Sequence, residues 1–199
     1  MKKVKFGIVG VGDFGVMHIQ ALKQLPEAEV HAVSCRTESR LKAICEKYKI
    51  PNWYTNVDDL MNDPEMDVII VATGEDTHYS FTEKAIREGK HVLLEKPICL
   101  NVEDGKKLLE LEQNTDLYIL PGHILRYDAS YNNAYRILQN EDMYGKILSI
   151  RVKRNVPIER FSLHSRTHPV FMALAHDIDI ITWLTNSRIK SVCGIQKKS

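Results

Sequence analysis

Along the first two thirds of the chain, short apolar runs alternate with longer segments whose apolar positions recur every three or four residues. Residues 4–9 (VKFGIV) carry Val4, Phe6, Ile8 and Val9, a run that fits a buried parallel strand. Residues 16–22 follow at helical spacing. Residues 29–34 (EVHAVS) predict a second strand. Residues 37–48 predict a helix with Thr37 as N-cap and Leu41, Ile44, Cys45 and Tyr48 on one face. A short extended piece at 51–54 and a short helix at 57–61, ended before Pro64, come next. Residues 67–72 (DVIIVA) are apolar on both faces, as a strand covered on both sides must be. After a turn at 73–78, the pattern predicts a helix over 79–88 closed by Gly89, and a strand over 91–94. A helix over 102–113 and a strand over 117–120 complete the series. This alternation from residue 4 to about 121 is the α/β signature of a Rossmann-type doubly wound parallel sheet.

The pattern then changes. Residues 128–139 predict a helix with Arg126-Tyr127 at its entrance, and 147–155 (ILSIRVKRN) alternate as a strand would. Residues 157–167 are polar and irregular. Residues 170–184 predict a helix holding His176, Asp177 and Asp179, and 189–196 another strand. Two strands do not make a stable open sheet alone. The second region, 122–199, is therefore expected to be part of an α+β domain, with the chain stopping partway through it. Residues 1–121 form the first domain.

The link between the first strand and first helix is Gly10-Val11-Gly12-Asp13-Phe14-Gly15, a G-x-G-x-x-G turn. In that pattern the first glycine permits the tight turn, the second lets a pyrophosphate approach the backbone, and the third lets helix and strand pack closely. The helix N-terminus then offers unpaired N–H groups and partial positive charge to the anion. The first domain is thus expected to bind a dinucleotide, with Gly10, Gly12, Asp13, Phe14 and Gly15 at the phosphates. Ligands of such sheets bind at the carboxyl ends of the strands. Those ends are 10–15, 35–36, 73–78, 95–97 and 122–123, and all five are expected to converge on one crevice.

At the end of the second strand an NAD-binding unit places an acidic residue on the ribose 2′-hydroxyl. This chain has Cys35-Arg36-Thr37 instead. The missing acid removes repulsion against a 2′-phosphate, and Arg36 can pair with one through a charge-assisted bond. The expected cofactor is NADP or NAD, with the balance toward NADP; Arg36 as a solvated cation and Glu38 as the ribose acid remain open. Glu95-Lys96-Pro97 lies at a strand end in the same crevice. A lysine there can exchange a proton with a substrate hydroxyl, Glu95 can position it, and a cis Pro97 can fix the turn. A surface ion pair before a proline turn is the plainer alternative. His176 stands on an apolar helix, where a histidine is commonly a satisfied core residue. His164, His168 and His176 fit no compact metal-ligand spacing, so no metal is expected. Arg126, Arg154, Arg160 and Arg166 could gather round an anionic substrate or simply be solvated.

Composition narrows the function further. The 199 residues are 44% hydrophobic and 27% charged, enough for a core. The 27 basic and 26 acidic residues leave a net charge of +1, which gives no case for a nucleic-acid partner or a membrane surface. No run of 18 apolar residues exists, and Gly7, Gly10 and Gly12 interrupt the N-terminal apolar run too early for a signal peptide. Cys35, Cys45, Cys99 and Cys193 are scattered, as incidental thiols in a reducing cytoplasm would be. A cytoplasmic location is expected. A redox-sensing transcription factor would need a DNA-binding element and a basic face, and neither is visible.

Taken together, these motifs resemble those of the Gfo/Idh/MocA family, which includes glucose–fructose oxidoreductase and inositol dehydrogenase. The glycine loop followed by His18 resembles the family's nucleotide loop and its downstream histidine. Ala72-Thr73 through His78 resembles the turn beside the nicotinamide. Glu95-Lys96-Pro97 with Asn101 following is the family's most specific motif. Gly122-His123 with Arg126-Tyr127 is similar to the crossover into the second domain, and His176-Asp177-Ile178-Asp179 with Trp183-Leu184 to the substrate-domain helix. The resemblance implies an NAD(P)-dependent oxidoreductase that exchanges a hydride with a secondary hydroxyl of a sugar, cyclitol or related polyol. It implies Lys96 and His176 as catalytic residues and Cys35, Arg36, Ala72, Thr73, His78, Glu95, Lys96 and Pro97 as cofactor contacts beside the glycine loop. Arg126, Tyr127 and Asp177 become substrate contacts, and a homo-oligomer is implied. Two departures stand out. Many members carry an Asp one helical turn before the histidine, where this chain has Met172; and the family completes a large sheet after the histidine helix, most of which is absent here. A non-catalytic or truncated dinucleotide-binding homologue is the alternative.

Overall fold

The computed structural model describes residues 2–155, 157 and 170–195. The chain divides into two compact units, Met1–Gly122 and His123–Ser199.

The first unit is a six-stranded sheet in the order β3-β2-β1-β4-β5-β6, parallel throughout. Its strands are β1 (Val4–Val9), β2 (Ala28–Ser34), β3 (Asn52–Tyr54), β4 (Val68–Val71), β5 (His91–Leu94) and β6 (Ile119–Pro121). The extended piece after Pro51 is a true edge strand, hydrogen-bonded to β2. The helices are α1 (Asp13–Leu22), α2 (Glu38–Tyr48), α3 (Val57–Asn62), α4 (His78–Arg87) and α5 (Val102–Gln113). Strand alternation sends side chains to both faces, so two cores form. On one face Ile8, Val30, Val33 and Ile70 pack with Ile19 of α1 and Leu41 and Ile44 of α2. On the other, Val9, Ala32, Ile69, Val71 and Leu94 pack with Leu60 and Met61 of α3, Ala85 and Ile86 of α4 and Leu108 of α5. Thr37 stands at the N-cap of α2, as the pattern predicts, but its side chain makes no capping hydrogen bond.

The β1–β2 register shifts once: Phe6 pairs with Val30 and Gly7 with Ala32, leaving His31 as the extra residue of a bulge. That displacement lets Val30 and Val33 share one face although they are an odd number of residues apart. It also frees the His31 ring to join a polar cluster. Nε2 lies 3.4 Å from Asp63 Oδ2, and the Asn52 amide stands 3.1 Å from Nε2. Tyr54 donates its hydroxyl to Asp63 Oδ2 at 2.9 Å, and the Glu65 N–H donates to Oδ1 at 2.9 Å. Burial opposes the charge on Asp63, but the Glu65 N–H, the Tyr54 hydroxyl and His31 prevail and hold its carboxyl below the usual range.

The second unit begins with a 3-10 turn (Ile124–Tyr127) and α6 (Ala129–Leu138), capped by Asp128, whose side chain accepts from Ser130 and Tyr131 N–H. A short α7 (Glu141–Tyr144) follows. A π-helical turn (Val170–Leu174) leads into α8 (Ala175–Thr185), which ends at Asn186 in the left-handed region, φ 46°. Tyr135 of α6 and Trp183 of α8 stack with centroids 4.2 Å apart. The strands expected over 147–155 and 189–196 do not appear: residues 147–155 and 189–195 carry no sheet pairing. Alternation supplies a face but not a partner, and an unpaired strand has nothing to complete its backbone hydrogen bonds. Residues 158–167 of the expected irregular segment lie outside the described residues, as does residue 196.

The Asp63 cluster generates a pH prediction. A carboxyl whose folded pKa is depressed contributes stability above its unfolded pKa and loses it as pH falls through the folded value. Wild type is therefore expected to lose stability faster than Asp63→Asn as pH drops from about 5 through the ordinary Asp pKa of about 3.9 and below. Urea unfolding midpoints across that range test it; parallel curves for the two proteins would show that Asp63 is not the group responsible.

Candidate active site

Parallel register sets the geometry of the first unit's ligand edge. Val9 pairs with Ser34 and with Val71, Val71 with Leu94, and Leu94 with Pro121. The next residue of each strand therefore emerges at one level: Gly10, Cys35, Ala72, Glu95 and Gly122. Backbone bonds extend the alignment past the strands, with Gly10 N–H donating to Ser34, Ala72 N–H to Val9, Glu95 N–H to Val71 and Gly122 N–H to Leu94. The strand order reverses around β1, whose neighbours are β2 and β4, and a crevice opens at such a switch point.

The glycine loop fits that edge tightly on one side and is open on the other. Gly10 has φ 91°, and a Cβ there would stand 2.4 Å from the Ala72 carbonyl oxygen. A Cβ on Gly15 would stand 1.9 Å from the Gly10 carbonyl oxygen, so the glycine is what lets α1 start against the loop. Around Gly12, by contrast, a Cβ would meet nothing within 4 Å. No side chain caps the N-terminus of α1. The same holds for α2 and α4, which follow β2 and β4, whereas Asn56 and Asn101 cap α3 and α5. An uncapped helix start beside an open glycine is a ready anion seat, and these residues fit a dinucleotide pyrophosphate.

At the end of β2, Cys35 is half-buried with Sγ 3.4 Å from the Thr37 carbonyl oxygen. Arg36 is exposed. Glu38 is held on its own helix by Lys42, 2.7 Å away. At the end of β4, the Thr73 and Thr77 hydroxyls are 2.6 Å apart. His78 is 1% exposed. Its Nδ1 lies 2.6 Å from the Pro97 carbonyl oxygen, which can only accept, so Nδ1 is the donor. Nε2 stands 3.4 Å from the Thr73 carbonyl oxygen. His78 thus bridges the two crevice loops that carry Thr73 and Pro97.

At the end of β5 the Lys96–Pro97 peptide bond is cis. Glu95 is 8% exposed. Its Oε1 lies 2.8 Å from His18 Nε2 on α1, and its Oε2 accepts from the Lys96 N–H at 3.3 Å. Burial pushes the Glu95 carboxyl up; the hydrogen bond and charge of His18, with the Lys96 N–H and ammonium, outweigh it and leave the carboxyl below its usual range. The Lys96 ammonium stands 5.4 Å from the centre of the Phe14 ring. His18 is the residue whose partner sequence reasoning missed. Phe14 and His18 are one helical turn apart, which is the signal that could have paired them with consecutive residues 95 and 96.

In the second unit, the acidic residues beside His176 are committed to arginines. Arg154 grips Asp177 with Nε and Nη2 at 2.8 and 2.6 Å. Arg126 grips Asp179 with Nε at 2.9 Å and Nη2 at 2.5 Å, and its guanidinium lies over Trp183. His123 Nδ1 is 3.8 Å from Asp179, and burial lowers the His123 pKa despite that carboxylate. Asp177 and Arg126, expected to meet substrate, are each engaged in an ion pair, Asp177 with Arg154 and Arg126 with Asp179, while Tyr127 is 85% exposed. Of the arginines read as either gathering round an anionic substrate or solvated, Arg126 and Arg154 each pair with a buried carboxylate; Arg160 and Arg166 lie outside the described residues, as do His164 and His168. Among the described residues no group of His, Cys, Asp and Glu could hold a metal, and no helix is long and apolar enough to cross a membrane.

Comparison with known proteins agrees with this geometry. Among curated proteins, the chain is 25% identical over 191 residues to a myo-inositol 2-dehydrogenase of Thermotoga maritima, covering 95% of this chain and 57% of that protein. It is 29% identical over 192 residues to an inositol 2-dehydrogenase of Salmonella typhimurium, covering 95% and 56%. Among solved structures, an apo scyllo-inositol dehydrogenase of Lactobacillus casei superposes with a TM-score of 0.86 at 26% identity, covering 93% of this chain and 55% of that one. The same organism's enzyme with bound NAD(H) and scyllo-inositol gives 0.84 at 25%, covering 93% and 57%. The chain spans a little over half the length of these relatives. A family model described as an oxidoreductase family with an NAD-binding Rossmann fold matches residues 4–123, the same residues that build the level strand ends and the glycine loop, and the chain belongs to that family, Gfo/Idh/MocA.

Proposed function

We propose that the strand-end crevice holds a nicotinamide dinucleotide and that the chain serves hydride exchange with a secondary hydroxyl of a cyclitol, sugar or related polyol. The observation that carries this reading is the placement of Gly10, Cys35, Ala72, Glu95 and Gly122 at one level, with an open Gly12 and an uncapped α1 beside them. The relatives named above act on inositols, which favours a cyclitol. When bound, the dinucleotide supplies the hydride chemistry. The amides of Asp13 and Phe14 would receive the pyrophosphate, and Ala72, Thr73 and Pro97 would border the nicotinamide. Lys96 exchanges the hydroxyl proton at its amino group and polarises the oxygen. His176 would hydrogen-bond a substrate hydroxyl. Asp177, already paired with Arg154, acts by holding the start of α8 beside His176, and Arg126 does the same through Asp179.

The finer choice of cofactor rests on Arg36. It is exposed at the end of β2, and the nearby acid, Glu38, is engaged by Lys42. That arrangement suits a 2′-phosphate better than a bare ribose hydroxyl. A second reading, a dinucleotide-binding chain without turnover, is favoured by Met172, since a thioether cannot relay a proton.

Three outcomes follow. Titration followed by nicotinamide fluorescence should show NADPH binding more tightly than NADH, and Arg36→Ala should weaken NADPH by roughly tenfold while leaving NADH unchanged; tighter NADH binding in wild type would reverse the cofactor assignment. In cofactor-reduction assays across a panel of cyclitols and polyols, Lys96→Ala should lower turnover by about 10²–10⁴-fold with dinucleotide affinity retained. Normal turnover in that variant would remove Lys96 from the mechanism, and wild-type binding with no turnover on any polyol would favour the second reading. Self-association is expected too, because Leu148, Val192 and Ile195 are almost fully exposed apolar residues of the second unit. Sedimentation velocity should show a species heavier than the monomer; a monomer at all concentrations would refute it.

A further inference from the structure

Glu95 occupies an unusual position for a carboxylate. It is nearly buried at the end of a central strand, and three separate elements close on it. Helix α1 contributes His18, whose Nε2 lies 2.8 Å from Oε1. The following peptide contributes the Lys96 N–H, donating to Oε2 at 3.3 Å. The end of β6 contributes Gly122, where a Cβ would stand 3.3 Å from Oε2 and 3.4 Å from Glu95 Cα, so the absence of a side chain there leaves the carboxylate its room. Among the described residues, the charged groups facing Glu95 are His18 from α1 and Lys96 from its own loop.

The contact between α1 and this loop is twofold. His18 holds residue 95, and Phe14, four residues earlier on the same helix face, lies 5.4 Å from the ammonium of residue 96. Helix α1 is also the helix that starts at the open glycine loop, with Gly15 pressed on the Gly10 carbonyl. One rigid element therefore touches both the anion seat and the Glu95-Lys96 dipeptide. Carboxylate oxygens only accept, so His18 donates from Nε2–H, and it can do so whether or not Nδ1 is protonated.

We propose that His18 is a positioning residue: through Glu95 it pins the backbone of Lys96 against α1, so that the helix which seats the dinucleotide also places the lysine that exchanges the substrate proton. The proposal rests on the crevice reading above for the role of Lys96, but the linkage itself is a property of the chain without ligand.

Pulse acetylation of the full chain with acetic anhydride, read at Lys96 by mass spectrometry and normalised to exposed Lys106, tests it. His18→Asn keeps an amide donor but falls short of Glu95, and Lys96 should acetylate about tenfold faster, the restraint expected of a charge-assisted bond. His18→Gln restores the reach and should return Lys96 to the wild-type rate. Glu95→Asp shortens the pair from the other side and should mimic His18→Asn, which provides the comparison if His18→Asn does not fold. NADPH and NADH titrations run on the same proteins separate the two ideas. If wild type binds neither nucleotide, the crevice reading falls while the acetylation comparison still decides the linkage. If nucleotide binds and Lys96 acetylates at one rate in wild type, His18→Asn and Glu95→Asp, the linkage is overturned. Acceleration in His18→Gln equal to that in His18→Asn would likewise overturn it, because a general loss of packing would then be the cause.

Discussion

The first unit depends on one constraint: six parallel strands hydrogen-bonded in register, so that their carboxyl ends finish level. Parallel strands cannot be joined by tight hairpins, so each connection must cross the sheet, and here helices cover both faces. That burial favours apolar residues on both faces of the central strands, which Ile8, Val9, Ile69, Ile70 and Val71 supply. It also leaves the loops after the strands free to carry polar side chains. There stand the glycine turn, Cys35 and Arg36, the Thr73–Thr77 hydroxyl pair, and Glu95-Lys96.

Within that frame, polar groups are arranged by how deeply they sit. The Asp63 cluster and the Glu95–His18 pair are both partly buried carboxylates held below their usual pKa by hydrogen bonds and a histidine. In the first case the partner histidine, His31, is the extra residue of the β2 bulge. Among the described residues of the second unit the buried carboxylates are Asp177 and Asp179, and arginine forks satisfy both oxygens of each. A buried carboxylate left without such partners costs several kcal/mol, so these pairs are conditions for α8 to pack at all. They also occupy the guanidinium forks of Arg126 and Arg154.

Much of the first unit was legible because its signals are local. Apolar runs of four to six residues, helical spacing between them, and glycine or proline at the joints each act over a few residues. Element positions accordingly agree within a residue or two, as for Val102–Gln113 and His91–Leu94. The strands expected at 147–155 and 189–196 did not appear among the described residues, because alternation is local whereas a strand exists only with a partner. His78 was visible as a crevice residue, yet its role as a brace was not, since Pro97 is 19 residues away. Glu95 was read against its neighbour Lys96, while its stronger partner, His18, is 77 residues away in the chain.

The sequence by itself thus determined the α/β class, the strand and helix positions of the first unit, the glycine turn and the level strand ends where chemistry must sit, because these follow from periodicity and from the stereochemistry of glycine. Tertiary structure decided the partners: His31 with Asp63, His78 with Pro97, His18 with Glu95, and the two arginines with Asp177 and Asp179. Those pairings join residues far apart in the chain. Each is selected by which side chains a buried charge can reach once the backbone has folded, a quantity that no window of sequence contains.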